Sequence, residues 1–185
     1  MISRAAEFSV ALLALLFLFP LFTVVGLLVI LDSKGPVFFL QERIGLNQKP
    51  FTIVKFRTMV AGAVNLGGHS TARGDVRVTR IGKLLRKTSI DELPQLINVV
   101  TGTMSFVGPR PDLLKQLCDY SAADLRSRLS VKPGITGLAQ AVLRSAATAE
   151  ERLALDLEYV ARKSVVFDLK ILAKTGLQVI SKGSF

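Results

Sequence analysis

The run Phe8-Ser-Val-Ala-Leu-Leu-Ala-Leu-Leu-Phe-Leu-Phe-Pro-Leu-Phe-Thr-Val-Val-Gly-Leu-Leu-Val-Ile-Leu31 carries no charged residue. At ~1.5 Å per residue a straight helix of this length reaches ~36 Å, enough to cross a ~30 Å hydrocarbon core. A secretory signal fits poorly. The run is too long for the apolar part of such a signal, and no small-residue cleavage pattern precedes Asp32. Pro20 sits at its middle and removes one helical hydrogen bond. Two conformations follow: a kinked span, or a re-entrant hairpin with arms ~18 Å long that enters and leaves by one face. Helix length alone favours the span. In either case the positive-inside tendency puts the basic remainder on the cytoplasmic side.

The rest of the chain is less apolar. With 185 residues, half of them hydrophobic, there is room for one membrane segment (1–34) and one globular domain (35–185). A mean hydropathy of +0.44 is high for a soluble domain and low for a bundle of spans. Lys and Arg outnumber Asp and Glu by 24 to 14, a net +10 that favours anionic partners: phosphates, acidic lipids or nucleic acid. A single cysteine, Cys118, excludes an internal disulfide, and its helical setting predicts a half-buried packing role. The one histidine, His69, lies in the Gly-rich stretch Ala61–Gly74, which reads as a solvated loop. With so few Cys and His, a zinc site or Ser-His catalysis is disfavoured, and a hard metal would go to carboxylate or phosphate oxygens.

Gly35-Pro36 opens the globular part with a turn. Val37–Gln41 and Phe51–Phe56 read as two strands of a hairpin. Thr79–Lys87, Leu93–Val100, Leu113–Leu129 (with Ser121 as a possible break), Thr148–Arg162 and Val165–Ile180 read as helices. Thr148 and Glu151 form a capping-box pattern. Val165–Ile180 separates apolar residues from Lys163, Lys170 and Lys174, as an interfacial helix does. A core helix with solvated lysines would read the same way. The fold class is therefore α/β and helix-rich, with a short β-hairpin and amphipathic helices.

The densest chemistry is Arg80-Ile-Gly-Lys-Leu-Leu-Arg-Lys-Thr-Ser-Ile-Asp-Glu-Leu-Pro-Gln95. Pro94 belongs in a first helical turn, which puts Asp91 and Glu92 at a helix start, where positive potential favours carboxylates and phosphates. Ser89 and Glu92 fit a capping box there. Arg80, Lys83 and Lys87 recur at helical spacing with Arg86 beside them, a candidate phosphate wall. First-turn acids and basic helices are commonplace singly; the crowding of both signs, with Arg110 between Pro109 and Pro111, points to bidentate phosphate binding.

Several stretches together resemble the bacterial sugar transferases, the small monotopic polyprenyl-phosphate phosphoglycosyl transferases. They are Gly35-Pro-Val-Phe-Phe-Leu-Gln-Glu-Arg-Ile-Gly45, Lys55-Phe-Arg-Thr-Met59, Ser89-Ile-Asp-Glu-Leu-Pro-Gln-Leu-Ile-Asn98, Met104-Ser-Phe-Val-Gly-Pro-Arg-Pro111, Lys132-Pro-Gly-Ile-Thr-Gly-Leu-Ala-Gln140 and Asp156-Leu-Glu-Tyr159. The resemblance covers nearly the whole chain. It implies a re-entrant membrane helix kinked at Pro20, against the preference drawn from helix length. It also implies an Asp91-Glu92 catalytic dyad and Mg²⁺, with Arg86 and Arg110 around phosphate. Phe19-Pro20 stands where the family often has Ser-Pro, and Arg4 and Glu7 stand for a stronger basic and acidic opening.

The reaction so implied moves a phosphosugar from a UDP-sugar to polyprenyl phosphate at the membrane. Asp91 is the expected nucleophile, and Glu92, with Asp91, the expected Mg²⁺ ligand. Lys55, Arg57, Lys83 and Gln140 are expected substrate contacts, and Asp156 a support that pairs with a nearby cation. The rival is a membrane-tethered nucleic-acid binder or anion-binding scaffold. With two Tyr and no Trp, the chain is poorly supplied for base stacking.

Overall fold

The computed structural model describes residues 3–63, 74–143 and 148–182. His69 and most of the Ala61–Gly74 loop lie outside them. The apolar run becomes one helix, α1 (Arg4–Asp32), capped by the Ser3 side chain on the Ala6 N–H at 3.2 Å. It continues through Pro20, so the expected reversal at Phe19-Pro20 is not seen. The Thr23 hydroxyl donates to the Phe19 carbonyl at 3.1 Å, a back-bond of the kind that bends helices.

One stripe of α1 is packed against the globular part along its length. Ala11, Ala14, Leu15 and Leu18 join a core with Ile53, Leu96, Val99 and Met104. Leu21, Phe22, Val25 and Val29 continue the stripe onto Phe56 and Leu85. These positions recur at intervals of three and four, so they share one face. The other faces are equally apolar and open: Leu13, Leu16, Phe17, Phe19 and Leu31 are 66–84% exposed. An apolar surface of this extent marks a membrane- or partner-facing side, and α1 is long and apolar enough to cross a membrane.

Both ends of α1 are tied to the same body. The Arg4 guanidinium donates to the Val99 and Val100 carbonyls. At the far end Asp32 accepts the Ile81 N–H at 2.8 Å.

β1 (Phe38–Ile44) and β2 (Pro50–Phe56) form the expected antiparallel hairpin, Phe38 opposite Phe56 and Ile44 opposite Pro50. α2 (Arg80–Thr88) follows, then a 3-10 turn (Ile90–Gln95) and α3 (Leu96–Thr101). A second, parallel pair, β3 (Ser105–Val107) with β4 (Gly134–Thr136), was not expected from the sequence. Between its strands the predicted Leu113–Leu129 helix divides. A 3-10 turn (Leu114–Asp119) is followed by α4 (Ala122–Arg128), whose N-cap is Ser121. Cys118 is exposed on that turn rather than half-buried. α5 (Leu138–Val142), α6 (Ala149–Arg162) and α7 (Val165–Lys182) complete the fold. The capping box at Thr148 and Glu151 forms as expected.

A third core unites the two halves: Val107, Leu138, Ala141, Tyr159 and Ile171. Asn98 does similar work for α3. Its amide donates to the Thr52 carbonyl at 2.7 Å and accepts the Val54 N–H at 3.1 Å, so it joins β2 as a strand would.

Candidate active site

α2 meets the chain after β2 at very short range. A Cβ added to Gly82 would lie 2.1 Å from the Thr58 carbonyl oxygen, so only glycine permits this approach. One turn later the Arg86 guanidinium reaches the Thr58 hydroxyl at 2.9 Å. α2 then stops at Ser89, which adopts the left-handed conformation (φ 56°) and accepts the Glu92 N–H at 3.1 Å. The Ser89 side chain does not cap the turn, so the expected capping box is replaced by a backbone turn. Asp91 and Glu92 sit in the first part of the 3-10 turn, with Pro94 buried behind them.

Three elements converge on Glu92. Lys55, near the end of β2, donates to Glu92 Oε1 at 2.5 Å. Arg110, after β3, donates to the same oxygen at 2.8 Å. Burial pushes the Glu92 carboxyl upward, but the charges and hydrogen bonds of Arg110 and Lys55 outweigh it and hold it at about 2. Glu92 is a fixed anion at every physiological pH.

Asp91 is in the opposite condition. Among the described residues its carboxylate accepts no hydrogen bond and makes no ion pair. Burial and then the Glu92 charge raise it to about 6, against the pull of Lys55, Arg86 and Arg110. Adjacent carboxylates driven apart in this way mark a division of roles. One is locked, and the other is half-buried, raised and unpaired.

Arg110 is itself held. Its carbonyl accepts Arg128 Nη2 at 2.7 Å. Arg128, 3% exposed, also pairs with Asp156 at 2.8 Å and with Asp112. Asp156 thus meets a nearby cation, as expected of it, and that cation braces the Arg110 loop. Arg43 adds a hydrogen bond to the Pro111 carbonyl at 3.1 Å. The loop is seated where Gly108 and Gly134 touch; a Cβ on Gly134 would lie 2.1 Å from the Gly108 nitrogen.

The structure therefore gathers Asp91, Glu92, Lys55, Arg86 and Arg110. It sends Arg57 elsewhere. That guanidinium is buried and donates to the Val29, Ser33 and Lys34 carbonyls, closing the C-terminal end of α1. Lys83 is exposed on α2, with no partner in hydrogen-bond or ion-pair range among the described residues. Gln140 lies on α5 and donates to the Ile135 carbonyl at 3.3 Å. Pro20 is within α1. Arg128, Asp112 and Asn98 were missed as supports. Asn98 ends one recognisable motif and Asp112 directly follows another, but their partners lie far along the chain.

A family model for bacterial sugar transferases matches residues 1–182. An undecaprenyl-phosphate glucose phosphotransferase of Komagataeibacter xylinus is 42% identical over 98% of this chain, which spans only 36% of that protein. An exopolysaccharide production protein of Rhizobium leguminosarum bv. phaseoli is 40% identical, over 98% of this chain and 96% of its own length. A UDP-glucose:undecaprenyl-phosphate glucose-1-phosphate transferase of Caulobacter vibrioides is 44% identical, over 90% of this chain and 65% of the relative. With the motifs matched along nearly all of its length, the chain belongs to the bacterial sugar transferase family.

Proposed function

We propose that this chain moves a phosphosugar from a UDP-sugar to polyprenyl phosphate, giving polyprenyl-diphosphate-sugar and UMP. The observation that carries the reading is the unpaired, raised Asp91 carboxylate beside the locked Glu92. An Asp91 oxygen attacks the phosphorus that bears the sugar. The bond from that phosphorus to the bridging oxygen breaks, and the electron pair leaves with UMP. Asp91 then carries the phosphosugar as a mixed anhydride. An oxygen of polyprenyl phosphate attacks the same phosphorus, the bond to Asp91 breaks, and the free carboxylate returns. Dividing the displacement in two is what a carboxylate nucleophile offers. The acceptor is already an anion, so no general base is needed.

Anionic nucleophiles are repelled by a diphosphate, and Arg110, Arg86 and Lys55 stand where charge must be offset. A magnesium ion fits the donor set: hard carboxylate oxygens of Asp91 and Glu92, with oxygens of Asp91 not engaged by other groups. Those two residues would hold it, and when bound it would neutralise diphosphate charge.

α1 and α7 support a placement at the membrane. Both ends of α1 are fastened to the globular body, which supports both termini of the apolar helix lying on one side of the membrane. α7 adds Val165, Val166, Leu169 and Leu177, 41–68% exposed, with lysines around them. The basic domain would lie at the cytoplasmic face of the bacterial inner membrane. The glucose named for relatives puts UDP-glucose first among donors, in the assembly of exopolysaccharide or another glycoconjugate.

The test is UMP release from a panel of UDP-sugars with polyprenyl phosphate and Mg²⁺. Turnover of one donor, lost by at least about a thousandfold in Asp91→Asn, is expected. Turnover retained in that variant would remove Asp91 from the reaction.

A further inference from the structure

A cavity of about 200 Å³ lies away from Asp91, between the first turns of α1 and α7 and the start of β3. It has room for several waters, or for one small polar group. Its wall carries both signs: Arg4, Lys132 and Lys163 against Glu7 and Asp168.

The two acids are buried, at 7% and 4% exposure. Each spends one oxygen on a hydroxyl, Glu7 on Ser105 and Asp168 on Tyr159 at 2.8 Å. Among the described residues, the second oxygen of each accepts nothing. Lys132 is half-buried and has no hydrogen bond or ion pair among the described residues. Lys163 is half-buried too, lying 6.0 Å from the Tyr159 ring centroid. Charges of both signs, with donors and acceptors that no protein group uses, thus face one opening and are free to meet a ligand that carries both charges. The two helices that help wall the cavity also carry exposed apolar side chains: Phe8 on α1, with Val165, Val166 and Leu169 on α7, are 41–62% exposed. These surfaces belong at the level of lipid.

We propose that this cavity binds the headgroup of a phospholipid carrying a phosphate and a primary ammonium, as in phosphatidylethanolamine. The phosphate meets Lys132 and Lys163, and the ammonium meets the free oxygens of Glu7 and Asp168. A bare anion would face two carboxylates. A quaternary ammonium has no N–H to give them. The site does not depend on the Asp91 chemistry, and its test reads neither UMP nor sugar.

The experiment measures binding and thermal stabilisation of the delipidated full chain in detergent. The probes are phosphatidylethanolamine, phosphatidylcholine and phosphatidylglycerol of one acyl composition, plus soluble phosphoethanolamine. The expected result is preferential binding of phosphatidylethanolamine. That preference should weaken about tenfold in Lys132→Ala and in Lys163→Ala, as loss of a charge-assisted contact implies. Lys132→Ala removes no hydrogen bond or ion pair present in the fold, so it should fold. Equal binding of phosphatidylcholine, equal or tighter binding of phosphatidylglycerol, or a preference unchanged in both variants would overturn the proposal. Soluble phosphoethanolamine matching the lipid would overturn it too, by making a free metabolite the ligand.

Discussion

Asp91 and Glu92 are neighbours in sequence but differ in environment, and that difference sets how the protein answers to pH. As the proposed nucleophile, Asp91 must be ionised, so the rate should rise with pH through about 6 and level off above it. Glu92, at about 2, contributes no second limb in that range. A pH–rate profile checks this. Stability should run the other way. Between the ordinary carboxyl value of 3.8 and about 6, folded Asp91 binds a proton that the unfolded chain does not. Stability from this group is therefore present at low pH and lost as pH rises through about 6. Asp91→Asn should consequently melt higher than wild type at pH 7, by about 1 kcal/mol after solvent screening, while losing activity. Arg128 makes the contrasting case. Breaking its buried pairs by Arg128→Gln should cost about 3–5 kcal/mol and loosen the Arg110 loop, read by denaturant melts. The charge cluster of the candidate site was legible because carboxylates, guanidiniums and prolines crowd into short motifs. Arg57 was misread because a sequence reports that a charge exists, not where it points. Its strand aims it at the carbonyls closing α1, not at Asp91.

At the scale of elements, the hairpin, α6, α7 and the apolar α1 follow from periodicity and caps that short windows contain. The β3–β4 pair does not. Its strands are three residues long, too short for alternation, and they pair only because Gly108 and Gly134 let the backbones touch. The 3-10 turn that carries Asp91 was read as the start of a regular helix, since Pro94 suits either. α2 is held against the strand end by the absence of a side chain at Gly82. Gly82→Ala must push α2 away from Thr58 and should cost about 1–3 kcal/mol. It should also displace Arg86, lowering activity more than the stability loss explains. Comparing its melting curve with its UMP release at a temperature where it is fully folded would separate the two effects.

Across the whole molecule, a long apolar helix and a charged site are built on one body. α1 supplies a packed inner stripe that fixes it to the globular body and an apolar outer face that, under the proposed placement, would be exposed if the domain left the membrane. The consequence can be measured by placing single cysteines at Ser3 and Ser33 in a Cys118→Ser background. In sealed vesicles both should be labelled from the side that holds the globular domain, whereas a crossing helix would separate them. In the proposed reaction Asp91 carries the phosphosugar between donor and acceptor. The most direct measurement is the intact mass of the chain, rapidly quenched after mixing with the turned-over UDP-sugar and Mg²⁺ without polyprenyl phosphate. A mass gain of one sugar phosphate in wild type, absent in Asp91→Asn and discharged by added polyprenyl phosphate, is the predicted result. UMP formed only when the acceptor is present, with no mass gain at any time, would contradict it and indicate direct transfer.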